Sequence, residues 1–442
     1  MTYAEARRAL ERLPSLDVKP GLDRILRLLD ALDHPEQAFP AVHIAGTNGK
    51  GSVAAMLASV LSQAGYRVGR FTSPDLIDFR DRISIDEIWI GEEELAHTVE
   101  RILPVFVEED PPTLFEALTA IAFHHFATNK VDLAVVEVGL GGRFDATNVL
   151  SPLLTILTTV GRDHLALLGG CSKSLFGYYT PRGGTIEKIA WEKAGISKES
   201  VPCLAGDLSL EAQRILVAEC ARVHAPLTDC HTIDLERVAF DWDKVTYQIE
   251  ASDLPKEILL PLLGGYQQEN LRVTLRAIEL LRKNGLTIPS RAVASGLAAV
   301  RWPGRFEVIS RHPIVILDGA HNQPGALALA KDIERTLPDQ IHRHLLFGIL
   351  ADKELEPIAR ALFPLFSSVT LTRSKSPRAM ALEPLLETAR SLGIVPLRSS
   401  SVREGVTSAY NSLKEEDALV VTGSLTVVRE ARPILLEELC RH

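Results

Sequence analysis

The stretch 41–52 constrains the possible folds of this chain more than any other part of the sequence. A five-residue, mostly apolar run leads into a turn that contains three glycines and one lysine. After this turn, apolar residues recur with the spacing of one helix face, and Gly65 stands where a helix would end. The order of strand, glycine turn and helix predicts a site where backbone N–H groups at a helix N-terminus bind phosphate.

The side chains in this turn agree with a nucleotide as the ligand. Lys50 would place a positive charge against the β- and γ-phosphates, and Ser52 offers a hydroxyl close by. The spacing differs from the common phosphate loop, because Ile44 stands where the first glycine is expected and Gly51 separates Lys50 from Ser52. A glycine-rich turn without a ligand is the alternative interpretation. We favour phosphate binding because all the required parts occur in the right order.

Length and composition limit the class of protein. A chain of 442 residues is longer than one hydrophobic core usually supports, so two domains are expected. The net charge of −9 argues against a nucleic-acid partner. No apolar stretch approaches a membrane span, and the first residues lack the apolar core of a signal peptide. The five cysteines form no CxxC pair, which is typical of reduced thiols. We therefore expect a soluble, cytoplasmic protein.

Short apolar runs alternate with helical patterns along most of the chain. Up to about residue 290, strands are predicted at 41–45, 132–138 and 153–159, with helices at 114–127 and 267–284. The alternation within 233–259 predicts an antiparallel hairpin. A second set of strands is predicted at 313–318, 343–348, 368–372 and 418–422.

This pattern predicts an α/β protein with two domains. The first, residues 1–298, would be a P-loop ATPase-like domain with a mostly parallel sheet. The second, residues 299–442, would be a smaller, Rossmann-like α/β domain. The boundary is placed where the segment 301–305, with its tryptophan, proline and glycine, interrupts the regular pattern.

Polar side chains stand at the ends of two of the predicted strands and after one further short apolar run. Ser73 follows the phosphate-loop helix and its next apolar run, Glu137 ends the second strand, and His164 follows the third. The carboxyl ends of parallel strands meet at one edge of a sheet, where ligands bind. Together these side chains could ligate Mg²⁺, although an imidazole is an unusual ligand for so hard an ion. Taken singly, each could instead form a salt bridge or a cap.

Two further polar segments are candidates for a functional site. Lys193 belongs to a predicted amphipathic helix, where a solvated lysine is the plain interpretation. The cluster 318–322 follows a strand of the second domain, where capping of the next helix is the plain interpretation.

In the order and content of its motifs, the chain resembles the folylpolyglutamate synthase/dihydrofolate synthase family, which is similar to the Mur peptide ligases. The matching segments are 43–52, 72–74, 137–148, 163–164, 192–196, 264–270, 302–305 and 318–322. They occur in family order from residue 43 onward, so the resemblance covers nearly the whole chain. It implies an ATP-dependent ligase that adds L-glutamate to tetrahydrofolate, and to dihydropteroate as well, through an acyl phosphate.

The resemblance also implies roles for individual residues. Nucleotide contacts are implied for Thr47, Asn48, Gly49, Lys50, Gly51, Ser52, Asn270, Arg305, Asp318 and His321. Two magnesium sites are implied at Ser73, Glu137, His164 and Lys193, the last carried as a carbamate. The catalytic set would be Lys50, Glu137, His164 and Lys193. Folate contacts are implied for Phe79, Arg82, Gly142, Asp145 and Ala146. The expected partners are ATP, L-glutamate and a pteroate or reduced folate, without nucleic acid or membrane, and the protein is expected to be a monomer.

Four features depart from the family pattern. Asp75 stands where a histidine is frequent, and Tyr266 stands at another position where a histidine is common. Asp81 replaces a frequent glutamate. The segment 171–184 is an apparent insertion between His164 and Lys193, and it must loop out if those two side chains are to converge.

Other protein classes stay open. A Mur-type ligase would use the same chemistry on a nucleotide-linked sugar peptide, but only about 45 residues precede the phosphate loop, too few for the extra substrate domain of Mur enzymes. A small-molecule kinase or nucleotide switch would not require Asp318 and His321. A non-enzymatic dinucleotide-binding module built on residues 139–142 fits poorly, because the glycine spacing differs from GxGxxG.

Overall fold

Two β-sheets, each packed against helices, organise the chain into an N-terminal and a smaller C-terminal α/β domain, which confirms the predicted fold class. The computed structural model describes residues 1–14, 21–163, 185–251 and 253–440. His164 and the insertion 171–184 lie outside these residues. The exact domain boundary at residues 298 and 299 stays a prediction.

The N-terminal sheet is mostly parallel and has β1 near its middle. Its strands within the described residues are β1 (Ala41–Ala45), β2 (Val68–Phe71), β3 (Ile83–Ile85), β4 (Ile88–Trp89), β5 (Leu133–Glu137), β6 (Leu154–Thr159), β7 (Cys203–Asp207) and β8 (Leu227–Asp229). Their order across the sheet is β4-β3-β2-β5-β1-β6-β7-β8. β3 and β4 form an antiparallel extension at one edge, and the other strands run parallel.

The position of β1 explains its composition and sets the place of the phosphate loop. All five of its residues are buried, because β5 and β6 pair with it on either side and helices cover both faces. The parallel register places Glu137, the last residue of β5, opposite Ile44. The loop that leaves β1 at Gly46 therefore begins beside the end of β5.

Helices connect and cover these strands. In the N-terminal domain they are α1 (Tyr3–Glu11), α2 (Asp23–Asp30), α3 (Lys50–Gln63), α4 (Glu92–Ile102), α5 (Leu114–Thr128), α6 (Thr185–Ala194), α7 (Leu210–Arg222), α8 (Gln267–Lys283) and α9 (Ser290–Ala299). α3 ends at the predicted place, with Gly65 following its last turn at φ +95°. Helix α5 and helix α8 also occur where the apolar spacing predicts them.

The segment predicted as an antiparallel hairpin is a small sheet with one strand more. Its strands are β9 (Leu235–Phe240), β10 (Val245–Ile249) and β11 (Glu257–Leu260), paired in the order β11-β10-β9. The alternation of buried and exposed residues is regular in β10 and β11 but not in β9, where a register shift interrupts the pairing. The predicted antiparallel pairing is therefore confirmed, but the sheet has three strands and the predicted hairpin had two.

The C-terminal sheet has its four predicted strands at its centre. The strands are β12 (Glu307–Arg311), β13 (Ile314–Leu317), β14 (Arg343–Phe347), β15 (Ser368–Leu371), β16 (Leu397–Arg398) and β17 (Ala418–Thr422), in the order β12-β13-β17-β14-β15-β16. The helices are α10 (Gln323–Thr336), α11 (Leu355–Leu362), α12 (Leu382–Ser391), α13 (Val402–Asn411) and α14 (Leu425–Leu439). Among the described strands of this C-terminal sheet, only β12 runs antiparallel to its neighbour.

Two further expectations concern the membrane and the cysteines. Every helix in the described parts of the chain is too short or too polar to cross a bilayer. The four described cysteines are free thiols, three of them buried, in agreement with the prediction of reduced thiols. The fifth, Cys171, lies outside the described residues.

Close contact between α3 and α9 fixes the helix that carries the phosphate loop. Ser59 Oγ donates a hydrogen bond to the carbonyl of Gly296 at 2.7 Å. A Cβ atom on Gly296 would lie 2.5 Å from Cα of Val60, so the two backbones touch at this point. Glycine is therefore required by packing, although it is a poor helix former.

We expect Gly296→Ala to lower the free energy of unfolding by about 1–3 kcal/mol, because the added methyl group forces α3 and α9 apart. The gain in helix propensity from glycine to alanine opposes this loss and is smaller. Gly91→Ala is the matched control, since a Cβ at Gly91 meets nothing within 4 Å. Urea unfolding of the three proteins measures the difference, and equal stability of the two variants would contradict the packing argument.

Candidate active site

The end of β6 fixes the conformation of the phosphate loop, residues 46–52. Asn48 N–H donates to Thr159 Oγ1 at 2.9 Å, and Thr158 Oγ1 donates to the Asn48 carbonyl at 2.7 Å. Thr47 N–H donates to the Thr159 carbonyl at 2.8 Å. These bonds satisfy the polar backbone of the loop on its inner side, so that the first turn of α3 is left facing the cleft.

Two glycines of the loop are needed because other groups lie against them. Gly49 begins α3 in a left-handed conformation, at φ +88°, and a Cβ there would collide with Oδ1 of Asn270. A Cβ on Gly51 would lie 2.5 Å from the ring of Trp302 and 3.3 Å from Oε2 of Glu137. Since Gly49 has no side chain that could cap the helix, the N–H groups of the first turn are available to an anion.

Two lysines converge on one backbone oxygen beneath the loop. Nζ of Lys50 lies 3.1 Å and Nζ of Lys193 lies 2.8 Å from the carbonyl oxygen of Gly46. Lys193 reaches this point from the last turn of α6 and is buried. Burial, followed by the charge of Lys50, lowers the pKa of Lys193 to about 7. A solvated lysine is therefore excluded as the interpretation of Lys193.

Glu137 supplies the negative charge nearest to this pair. Its Oε1 lies 3.7 Å from Nζ of Lys50, and its Oε2 accepts a hydrogen bond from the N–H of Ser73 at 3.1 Å. Burial raises the pKa of Glu137, while the charge of Lys50 and the bond from Ser73 act in the opposite direction. The structure thus brings Ser73, Glu137, Lys50 and Lys193 together, as the positions of the strand ends predict.

Side chains of both domains meet beside the loop. Asn48 and Asn322 exchange two amide hydrogen bonds, of 3.2 and 3.1 Å. Asn322 also donates to Oδ2 of Asp163 at 3.1 Å. Lys353, in the loop between β14 and α11, reaches across the cleft and bonds Oδ1 of Asp163 at 2.6 Å. Sequence reasoning missed Lys353, because no local pattern marks it and its partner lies 190 positions away in the chain.

Helix α8 connects the loop with the C-terminal domain. Asn270 Nδ2 donates to Oε1 of Gln267 at 2.8 Å, and Gln267 Nε2 donates to Oγ of Ser52 at 3.3 Å. Asn270 lies over Gly49 on the outer side of the loop. The predicted nucleotide contact at Asn270 is therefore within reach of the loop, and Gln267 orients its amide.

The predicted nucleotide residues of the C-terminal domain surround Asp318. The carboxylate of Asp318 accepts hydrogen bonds from the N–H groups of Phe306 and Ala320, both at 2.8 Å. Burial raises the pKa of Asp318, and the charge of Arg305 opposes that change. His321 Nδ1 lies 2.8 Å from the carbonyl oxygen of Gly319, and its Nε2 lies 3.6 Å from Asp163. His321 therefore links this group to Asp163 of the N-terminal domain.

The segment 139–148 packs against the end of α6. A Cβ on Gly142 would lie 2.8 Å from the carbonyl oxygen of Lys193, and Arg143 N–H donates to the carbonyl of Glu192 at 2.8 Å. Asp145 accepts from the N–H of Leu140 at 2.9 Å, and burial raises the pKa of Asp145. Ala146 directly follows and is buried. The predicted folate residues of this segment therefore adjoin Lys193 rather than forming a separate pocket.

The other predicted folate residues lie on the turn that precedes β3. Arg82 Nε donates to Oδ1 of Asp75 at 2.9 Å, and Arg429 of α14 pairs with the same carboxylate from the C-terminal domain. Phe79 is half-buried, with the guanidinium of Arg7 5.7 Å from the centre of its ring. Asp75, a departure from the family pattern, thus forms an ion pair between the two domains.

A buried histidine joins the strand of the phosphate loop to segment 139–148. Nε2 of His43 lies 2.8 Å from Oγ1 of Thr147, which in turn lies 2.5 Å from Oδ1 of Asp145. The hydroxyl proton goes to the carboxylate, so His43 donates from Nε2 and is neutral. Nδ1 of His43 has no hydrogen-bond partner among the described residues. Burial, and then the charge of Lys198, lowers the pKa of His43 to about 3.

This shift predicts the pH dependence of stability. The unfolded chain binds a proton at His43 below about pH 6.5 and the native state does not, so stability present above that pH is lost as pH falls toward 3. In His43→Gln, whose amide still donates to Thr147, the loss between pH 6.5 and 3 should be shallower by up to about 1.4 kcal/mol per pH unit. Urea unfolding at several pH values measures it. His97→Gln, on the exposed side of α4, is the control, and identical slopes for the two variants would disprove the assignment.

The geometry defines the class of protein. A phosphate loop faces a second α/β domain across a cleft, with a buried lysine, a buried carboxylate and a histidine of the second domain beside it. This arrangement agrees with the two-domain, ATP-dependent amide ligase that the motif resemblance implies. The roles of individual residues stay predictions at this point, and His164 lies outside the described residues.

Comparison with known proteins identifies the family. Residues 304–425 match the model of the Mur ligase, glutamate ligase domain. The chain is 35% identical to the dihydrofolate synthase/folylpolyglutamate synthase of Bacillus subtilis over 441 residues, covering 97% of this chain and 98% of that one. It therefore belongs to the folylpolyglutamate synthase/dihydrofolate synthase family.

Solved structures agree with this assignment. The folylpolyglutamate synthase of Mycobacterium tuberculosis complexed with ADP has a TM-score of 0.86 and 31% identity, covering 98% of each chain. FolC of E. coli, in complex with DHPP and ADP, has a TM-score of 0.83 and 28% identity, covering 99% of each chain. The similarity extends over both domains.

Proposed function

We propose that this chain forms an amide bond between a carboxylate of a folate and the amine of L-glutamate at the expense of ATP, and that it also accepts dihydropteroate. The observation that carries the proposal is the convergence of Lys50 and Lys193 on the carbonyl oxygen of Gly46, with Glu137 3.7 Å from Lys50. The name of the Bacillus subtilis relative and the ligands of the E. coli structure support both acceptors.

The chemistry requires activation of a carboxylate, because its own leaving group would be oxide. A carboxylate oxygen attacks the γ-phosphorus of ATP, and ADP leaves with the electron pair of the broken P–O bond. The glutamate amine then attacks the acyl carbon, loses a proton, and phosphate leaves. Lys50 and the N–H groups of the first turn of α3 offset negative charge on the transferring group. Contacts between the domains at Asn48 and Asn322 exclude water from the acyl phosphate.

We place two Mg²⁺ ions at this site, held by Ser73, Glu137, His164 and Lys193. The described donors fit a hard cation in part: Glu137 is a buried carboxylate, and the N–H of Ser73 bonds to it, which places the serine next to that carboxylate. When bound, the ions would neutralise phosphate charge. As an ammonium group, Lys193 cannot ligate a cation, so its proposed role requires modification.

A carbamate on Lys193 would resolve the electrostatics of the buried pair. The ammonium group first loses one proton, and the neutral nitrogen then attacks the carbon of CO₂ and loses a second, so one cation becomes one anion. This reaction requires a neutral amine, and the pKa of about 7 makes that form available near neutrality. It also replaces repulsion between Lys193 and Lys50 by attraction. We propose that Lys193 carries this group.

The remaining predicted residues complete the substrate sites. Contacts to the nucleotide are proposed for Thr47, Asn48, Gly49, Lys50, Gly51, Ser52, Asn270, Arg305, Asp318 and His321. Contacts to the folate are proposed for Phe79, Arg82, Gly142, Asp145 and Ala146. A cytoplasmic location and a monomeric state belong to the same proposal, and the free thiols of the described cysteines agree with the former.

We expect Lys50→Met to lower the rate of ADP formation about a hundredfold or more, because the charge opposite the transferring phosphoryl group is lost. The assay contains ATP, Mg²⁺, L-glutamate and one of three acceptors: dihydropteroate, tetrahydrofolate or a muramyl nucleotide. Lys331→Met, on the exposed side of α10, controls for removal of a lysine. Normal turnover in Lys50→Met would refute the phosphate-loop assignment, and turnover with the muramyl nucleotide alone would favour the Mur-type alternative.

Activity should depend on CO₂ in a pH-dependent manner. With a pKa of about 7, about nine-tenths of Lys193 is neutral at pH 8 and about one-tenth at pH 6. Protein freed of CO₂ should therefore regain activity faster after addition of bicarbonate at pH 8 than at pH 6.

Variants of Lys193 separate this proposal from a purely structural role. Lys193→Ala should be inactive and partly restored by short carboxylates, which supply the missing anion. Lys193→Arg keeps a cation that cannot form the carbamate, and it should stay inactive under all conditions. Full activity of Lys193→Arg, or of CO₂-free protein, would exclude the carbamate.

A further inference from the structure

The first turn of α8, together with the two glycines before it, is a place where the two domains are joined by buried carboxylates. Gly265 N–H donates to both oxygens of Asp332, at 2.9 and 2.8 Å. The hydroxyl of Tyr266 donates to Oδ2 of Asp318 at 3.0 Å. Asp332 lies on α10 and Asp318 follows β13, so both acceptors belong to the C-terminal domain. The same turn reaches the phosphate loop through Gln267.

The carboxylate of Asp318 has one acceptor position that no hydrogen bond from a described residue occupies. Its Oδ2 accepts from Tyr266 and from the N–H of Phe306, and its Oδ1 accepts from the N–H of Ala320. A carboxylate has about four acceptor positions, so one position on Oδ1 stays available. Two of the three donors are backbone groups of the C-terminal domain. The third, Tyr266, comes from the N-terminal domain.

Packing of the aromatic ring fixes the position of the Tyr266 hydroxyl. A Cβ on Gly264 would lie 2.6 Å from the tyrosine ring, so the ring packs directly against a position that has no side chain. Burial raises the pKa of Tyr266, and the neighbouring carboxylate of Asp318 adds to this effect. The hydroxyl therefore keeps its proton and stays a donor.

We infer that Tyr266 is a positioning residue for the nucleotide: it orients the carboxylate of Asp318 from the opposite domain, so that the nucleotide site is complete only when the two domains are docked. The donors that ATP can offer to such a carboxylate are its ribose hydroxyls and its adenine amino group. The inference rests on the proposed function in one respect, the contact between Asp318 and the nucleotide.

Tyr266→Phe tests the inference, because it removes the hydroxyl and keeps the ring against Gly264. The Kd for ADP and the KM for ATP should rise about tenfold, the change expected for loss of one hydrogen bond to a carboxylate. The KM values for folate and L-glutamate should not change. In the protein without any ligand, amide hydrogen exchange at Phe306 and Ala320 should become faster, since both N–H groups donate to Asp318.

Tyr66→Phe is the matched control, since the hydroxyl of Tyr66 accepts a 2.8 Å hydrogen bond from the N–H of Thr287. It should leave the Kd for ADP unchanged. An unchanged Kd and unchanged exchange in Tyr266→Phe would overturn the inference, as would equal increases in all three KM values. ADP binds without a folate acceptor, so the Kd for ADP tests the inference independently of which folate the enzyme uses. Failure of the unaltered protein to bind ADP would instead refute the proposed function.

Discussion

The contact on which the site depends is the pair of lysines at the carbonyl oxygen of Gly46. Two ammonium groups share one backbone acceptor beneath the phosphate loop, and the nearest carboxylate, Glu137, is itself buried. One buried and one half-buried cation with a single buried anion are electrostatically unfavourable unless a proton leaves or an anion arrives. The lowered pKa of Lys193 is one response to this imbalance. A triphosphate bound to the loop, or a carbamate on Lys193, would be another. The arrangement therefore favours binding of anions before any substrate is considered.

The second constraint is that neither domain holds the site alone. Asn48 pairs with Asn322, Lys353 with Asp163, and Arg429 with Asp75, and each pair joins one domain to the other around the same cleft. Ion pairs on an exposed surface contribute little, but these pairs are at least partly shielded from water. Their value lies in orientation: together they hold the two walls of the cleft in one arrangement, and reacting groups must be held in a defined geometry to react. Docking of the domains thus fixes the geometry of the site.

Sequence reasoning succeeded where structure depends on local pattern. β1, the glycine turn and α3 follow from residues adjacent in the chain, and so do the central strands of the second sheet. The short strands β2, β3 and β8 were missed, because three or four residues carry too little periodicity to stand out.

Several site residues could not have been found in the same way. Lys353, Tyr266 and the bond from His43 to Thr147 depend on contacts between residues 52 to 190 positions apart. No local pattern encodes such contacts. The resemblance to a family indicated many of the site residues, since the ordered motifs recur across the chain, but it did not show which of them touch.

The glycine that interrupts the usual phosphate-loop spacing has a steric cause. The ring of Trp302 and the carboxylate of Glu137 both approach Gly51 so closely that a side chain there would displace one of them. Trp302 in turn lies under the guanidinium of Arg70, 5.2 Å from the ring centre, which holds it against β2. Trp302 belongs to the segment that leads into the C-terminal domain.

A threonine or serine at position 51 would collide with this segment. Glycine at position 51 allows the segment to pack directly on the phosphate loop. The hydroxyl is moved one residue along, to Ser52, where Gln267 reaches it. The altered spacing is therefore a consequence of placing the connection between the domains directly on the nucleotide site.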